Sequence, residues 1–132
     1  MCMIETTVLM VGTGCKSQAI SDLPVRLIRL GTGAEAIRSL RHERVDALVS
    51  QWDLVDIPDG TLLRNVINAS PSIPTIALIE PGNFDQEIKA AQWGVTAIIP
   101  DDIDDDYFRQ VIAQLLGLEA MTLVSIANAH DT

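Results

Sequence analysis

Five short apolar runs are spaced along the chain, and between them lie segments whose apolar residues recur at the helical period. The runs are residues 6–11 (TTVLMV), 25–30 (VRLIRL), 45–50 (VDALVS), 74–79 (PTIALI) and 95–99 (VTAII). Largely apolar runs of this length predict strands buried on both faces of a parallel sheet. The second run alternates apolar residues with Arg26 and Arg29, which predicts an edge strand. Four helices are predicted between and after the runs. Residues 33–43 carry Ala36, Ile37 and Leu40, and residues 61–69 carry Leu62, Leu63, Val66 and Ile67. Residues 84–93 carry Phe84, Ile88 and Ala91, and residues 107–116 carry Phe108, Val111, Ile112, Leu115 and Leu116. Each set forms one apolar face, the pattern of a helix packed on a core. Asp104 or Asp105 can cap the last helix and Gly117 can end it. Residues 14–23 (GCKSQAISDL) make only a poor, short helix candidate, stopped by Pro24.

Strand and helix thus alternate five times, which requires right-handed crossovers and a doubly wound parallel sheet. The expected fold class is α/β, a flavodoxin-like (βα)5 unit with strand order 2-1-3-4-5. One domain is expected over residues 1–118, with 119–132 as an extension, an oligomer contact or the start of a linker, apolar from Met121 to Ala127. With 132 residues and 48% apolar content, one core suffices.

Charge and cysteine content narrow the function classes. The net charge of −9 argues against nucleic-acid or anionic-membrane partners. No apolar run approaches the roughly 20 residues of a membrane helix, and no basic-then-apolar leader opens the chain. Cys2 and Cys15 make no disulfide framework, so a cytoplasmic protein is expected. The charge is uneven: seven of the nine basic residues lie between Lys16 and Arg64. The second half carries the acidic run Asp101, Asp102, Asp104, Asp105 and Asp106, a solvated helix start or a docking patch for a basic surface.

The segment VDALVSQWDLVDIPDG, residues 45–60, resembles the pattern PDLVLLDWNLPDMDG of response-regulator receiver (CheY-like) domains. Asp46 takes the place of the Asp that opens the strand, Trp52 and Leu54 fall on apolar counterparts, and Asp59-Gly60 matches the closing pair. One residue is inserted, and Pro58 comes later than the family's Pro. GAEAI at residues 33–37, IPTI at 73–76 and GVTAII at 94–99 are similar to the family's GEEAL, IPVI and GADDYL segments. The resemblance runs over residues 6–116. It implies a phosphoacceptor carboxylate ending the third strand, two acidic magnesium ligands after the first, a hydroxyl ending the fourth and a Lys ending the fifth.

Each of these positions is altered. The acceptor position is Gln51, whose amide has no anionic oxygen to attack phosphorus. The acidic pair falls on Gly12 and Thr13, the hydroxyl on Ile79, the Lys on Asp101 and the aromatic switch on Ile98. The first helix is also about two turns short. These changes describe a pseudo-receiver: a non-enzymatic, phosphorylation-independent interaction module with a protein partner or self-association, including a homodimer, and with no cofactor or metal. The resemblance further implies an interaction face on the family's fourth helix, fifth strand and fifth helix. Here that face holds Asp85, Gln86, Lys89, Ile98, Arg109 and Gln110.

Other chemistries stay open at this stage. Asp53, two residues past Gln51, is the candidate for a displaced phosphoacceptor, and Asp56 and Asp59 read as turn residues. The loop VGTGCKS at residues 11–17 half-matches two phosphate-binding patterns. Ser17 replaces the third Gly of a dinucleotide fingerprint, and Met10 and Cys15 stand where a P-loop needs Gly. A small nucleotide or anion held at Gly12, Gly14 and Gln51 is therefore the alternative function. Trp52 and Trp93 read as packing or surface-contact residues, with Trp52 at the mouth of the site.

Overall fold

The computed structural model describes residues 6–118, and the 119–132 segment, with its expected extension or linker, lies outside the described residues. Its strands are β1 (Thr6–Val11), β2 (Val25–Leu30), β3 (Ala47–Gln51), β4 (Thr75–Ile79) and β5 (Ala97–Pro100). They pair in parallel in the order β2-β1-β3-β4-β5. The helices are α1 (Gly33–His42), α2 (Thr61–Ala69), α3 (Phe84–Trp93) and α4 (Asp105–Leu115). The flavodoxin-like order expected from the alternation is the observed one.

The strand alternation divides the core into two layers. Leu9, Val11, Leu48, Ala77 and Ile79 face one side and pack on Ala36 of α1, Leu62, Leu63 and Val66 of α2 and Ala90 of α3. Val8, Met10, Ala47, Val49, Ile76 and Leu78 face the other and pack on Ile20 and on Phe108, Ile112 and Ala113 of α4. The central strands are fully buried, so their sequence shows no polar face. β2 lies at the edge with Arg26 and Arg29 exposed, as its alternation requires.

Local capping sets the helix ends. The Thr32 hydroxyl accepts from Glu35 N–H at 3.2 Å and donates to the Glu35 carboxylate at 2.9 Å, opening α1. Asn83 opens α3 by accepting from Gln86 N–H at 3.1 Å. Asp104 opens α4 by accepting from Asp106 and Tyr107, so the helix begins two residues before the apolar period does. Asp105 and Asp106 then sit in its first turn, where the helix dipole favours carboxylates.

Two expectations change. Residues 14–23 do not form an α-helix; Gly14–Ile20 winds as a 3-10 segment whose Ile20 is buried against the α4 side of the sheet. The apolar stripe of α3 does not face the core. Phe84 is 71% and Ile88 54% exposed, and Ala91 is exposed as well. The buried side of α3 is Ala90, with Gln86, Lys89 and Trp93 half-buried around it. No helix among the described residues is long and apolar enough to cross a membrane.

Candidate functional site

Parallel strands end together at one rim of the sheet, so the residues just past those ends converge without being close in sequence. β3 ends on Gln51, while Gly12, Glu80 and Asp101 directly follow β1, β4 and β5. These four, with Trp52, Asp53, Leu78 and Gln86, line a crevice of about 420 Å3. Hydrogen bonds tie the rim down: Gly12 N–H donates to Leu30 O, Trp52 N–H to Leu78 O and Asp101 N–H to Ile79 O, each at 2.8 Å.

The crevice brings together Gly12, Gln51, Asp53 and Asp101, four of the positions singled out in the sequence. Ile79 is 5% exposed and belongs to the core rather than the lining. Thr13 is buried beside the start of the 3-10 segment and also does not line the crevice. Glu80 also lines the crevice, as does Gln86, a residue of the interaction face that the resemblance implies. Glu80 N–H donates to the Gln86 side-chain carbonyl at 2.9 Å, and Asn83 Nδ2 donates to Glu80 Oε2 at 3.3 Å. The sequence signal for Glu80 is only that a charged residue directly follows a strand aimed at the rim.

These residues do not fit the magnesium site that the receiver resemblance implies. Gly12 has φ +66°, and a Cβ there comes within 2.7 Å of Leu54 Cδ2. Leu54, 6% exposed, thus occupies the space into which a side chain from position 12 would project. Among the described residues no three His, Cys, Asp or Glu side chains are grouped to hold a metal. The crevice carboxylates Asp53, Glu80 and Asp101 face no Lys or Arg in the lining. Lys16, the P-loop-like lysine, is engaged at the start of α4, where its Nζ donates to Ile103 O and pairs with Asp105 at 3.0 Å. The lining is therefore unfavourable for an anion.

The loop between β3 and α2 is held by its own acidic residues. Asp53 Oδ1 accepts from Asp59 N–H at 2.7 Å, where Asp59 takes φ +58°. Asp56 reaches the start of α1, accepting from Gly33 N–H at 2.8 Å and Ala34 N–H at 2.9 Å. Those two donors hold its carboxyl below the ordinary value. Asp59 pairs with Lys89 at 3.1 Å and accepts from Trp52 Nε1 at 3.2 Å; Lys89, then Trp52, lowers its pKa. Asp56 is thus a helix cap and Asp59 a clamp onto α3, roles that span elements and are invisible in a local turn reading.

Trp52 is 2% exposed, so it forms the floor of the crevice and not a surface contact. Its ring stacks on Trp93 with centroids 5.2 Å apart and planes at 9°, and Arg64 lies 5.4 Å over Trp93. Gly60, with φ +71°, passes close against the same ring; a Cβ there would lie 2.6 Å from Trp52 Cη2.

The family-derived interaction face is spread over both layers. Asp85 is exposed on α3, but Gln86 and Lys89 turn toward the crevice and the β3–α2 loop through the bonds just described. Ile98 is partly buried on the α3 side. Arg109 lies on α4 and pairs with Asp22 at 3.0 Å, which lowers the Asp22 pKa, while Gln110 is exposed.

Comparison with known proteins agrees with the fold. No family model matches the chain. The transcriptional regulatory protein GlrR of Escherichia coli is 28% identical over 89 residues, covering 67% of this chain and 20% of that protein. The matched segment therefore spans about a fifth of that relative's length. The signal receiver domain of an HD domain-containing protein from Pseudomonas fluorescens superposes with TM-score 0.78 at 22% identity, covering 86% of this chain and 96% of that one. A CheY-like response regulator receiver domain protein from Methanospirillum hungatei superposes with TM-score 0.74 at 14% identity, covering 89% and 99%. The fold is that of a CheY-like receiver.

Proposed function

We propose that the chain is a receiver-type signalling module of a two-component-type system that works without accepting phosphate. It acts as a non-enzymatic, cytoplasmic interaction domain whose input is a protein contact. The observation that carries this reading is the lining of the strand-end crevice. An amide stands at the end of β3, Leu54 fills the space beside Gly12, and the ionisable groups present are the carboxylates Asp53, Glu80 and Asp101. Phosphoryl transfer needs a nucleophile and cations that neutralise the charge spread over the phosphoryl oxygens. This crevice offers the reverse charge. The same charge disfavours an anion or nucleotide input, and Asp53 is engaged by Asp59 N–H.

The test is incubation with magnesium and acetyl phosphate followed by intact mass. The expected result is an unchanged mass. A gain of one phosphoryl group that disappears in Asp53→Asn overturns the proposal and makes Asp53 a displaced acceptor.

A further inference from the structure

The outer surface of the helical layer carries two unpartnered features of opposite character. One is a ridge on α3. Phe84, Ile88 and Ala91 recur at i, i+4 and i+7 and all are exposed, Phe84 at 71% and Ile88 at 54%. Asp85 and Glu87 flank them, and neither carboxylate has a hydrogen-bond or ion-pair partner among the described residues. Single exposed apolar side chains are ordinary on a protein surface. A stripe at this spacing on one helix is the pattern with which a helix seats in a groove.

The other feature is a groove between α1 and α2 of about 460 Å3, floored by Ile37, Leu40, Leu62, Val66 and Ala69. Arg41 lines it, and no carboxylate does. Arg38 and Arg41 are exposed on α1, one turn apart, and neither has an ion-pair partner among the described residues. The guanidinium of Arg64 on α2 is engaged elsewhere, over the Trp93 ring. In a chain of net charge −9, this is a local basic surface around an apolar cleft.

We infer that the α3 ridge of one copy docks into the α1–α2 groove of a second copy, its apolar residues in the cleft and Asp85 and Glu87 against Arg38 and Arg41. The partner is argued from complementarity. The groove fits an apolar helix with acidic flanks, the ridge fits an apolar cleft with a basic rim, and this one chain presents both. Ridge and groove belong to helices of the same layer, so two copies face to face can exchange ridges about a two-fold axis and close as a dimer. The ridge spans about two helical turns, close to the length of α2. This inference rests on the interaction-module reading and names the partner surface for it.

The experiment is sedimentation equilibrium from ~10 µM to ~1 mM, the range that reads micromolar-to-millimolar dissociation, on the wild type, Phe84→Asp and Arg41→Glu. Both positions are exposed, so the variants are expected to keep the wild-type melting midpoint. The wild-type mass is expected to rise toward twice the chain mass, and less so in high salt. Each variant is expected to associate at least about tenfold more weakly, because its anchor is lost from both symmetric contacts. A wild type that stays monomeric throughout overturns the inference. So does a dimer that persists in Phe84→Asp, or one that Arg41→Glu leaves intact, which indicates ridge-on-ridge packing. None of these outcomes alters the phosphoryl mass measurement, so the two proposals fail separately.

Discussion

The strand-end crevice and the outer face of α1, α2 and α3 use their polar residues in opposite ways. Around the crevice, side chains are spent on the protein itself. Gln86 accepts from Glu80, Asp53 from Asp59, Asp56 from the start of α1, and Leu54 fills the space beside Gly12. The cations of the neighbourhood are bound elsewhere, Lys89 to Asp59 and Lys16 to Asp105. On the outer face, Arg38, Arg41, Asp85 and Glu87 stay uncommitted beside exposed or grooved apolar residues. The difference teaches that a rim where several strands and loops converge engages its polar groups in the fold's own contacts, whereas a helix face turned to solvent leaves its charged groups free.

Three perturbations break or sharpen that contrast. The largest effect is expected from Trp52→Ala. The ring is 2% exposed, stacked on Trp93 and closely approached by Gly60. Its removal should cost about 3–5 kcal/mol in urea denaturation, the range for a large buried aromatic. The chain's 2 Trp residues are the stacked pair, so fluorescence follows the same event. A loss below about 1 kcal/mol would mean the crevice floor is not anchored as described.

Gly12→Asp should have an intermediate effect. The φ of +66° and the 2.7 Å approach to Leu54 together predict a loss of about 1–3 kcal/mol. The variant should show no magnesium binding by calorimetry. A variant as stable as wild type that binds magnesium would show that the position was merely substituted and not closed.

The smallest effect concerns Asp56, held below its ordinary value of 3.8 by Gly33 and Ala34 N–H. A depressed folded-state pKa gives stabilisation that is complete above the unfolded value and is lost as pH falls through the folded one. The melting midpoint of wild type should therefore exceed that of Asp56→Asn near pH 6, and the gap should shrink below about pH 4. A gap independent of pH would show that the carboxylate charge is not what caps α1.

The alternation of apolar runs and helical periods was enough to derive five parallel strands, their order and the edge position of β2, because burial on both faces or on one leaves a direct mark on which residues a strand can contain. The rim positions Gly12, Gln51 and Asp101 were also legible, but through the resemblance to receiver domains, whose pattern falls on them at or directly after strand ends. Glu80 and Leu54 were not, because their relation to Gly12 and Gln51 exists only once separate strands and a loop are brought side by side. The orientation of α3 was decided by tertiary structure alone. Its period announces an apolar stripe at Phe84, Ile88 and Ala91, yet a period gives an angle around the helix axis and not the direction of the core. That direction is set by Trp93 stacking on Trp52 and by Lys89 reaching Asp59, contacts from another element that turn the stripe outward.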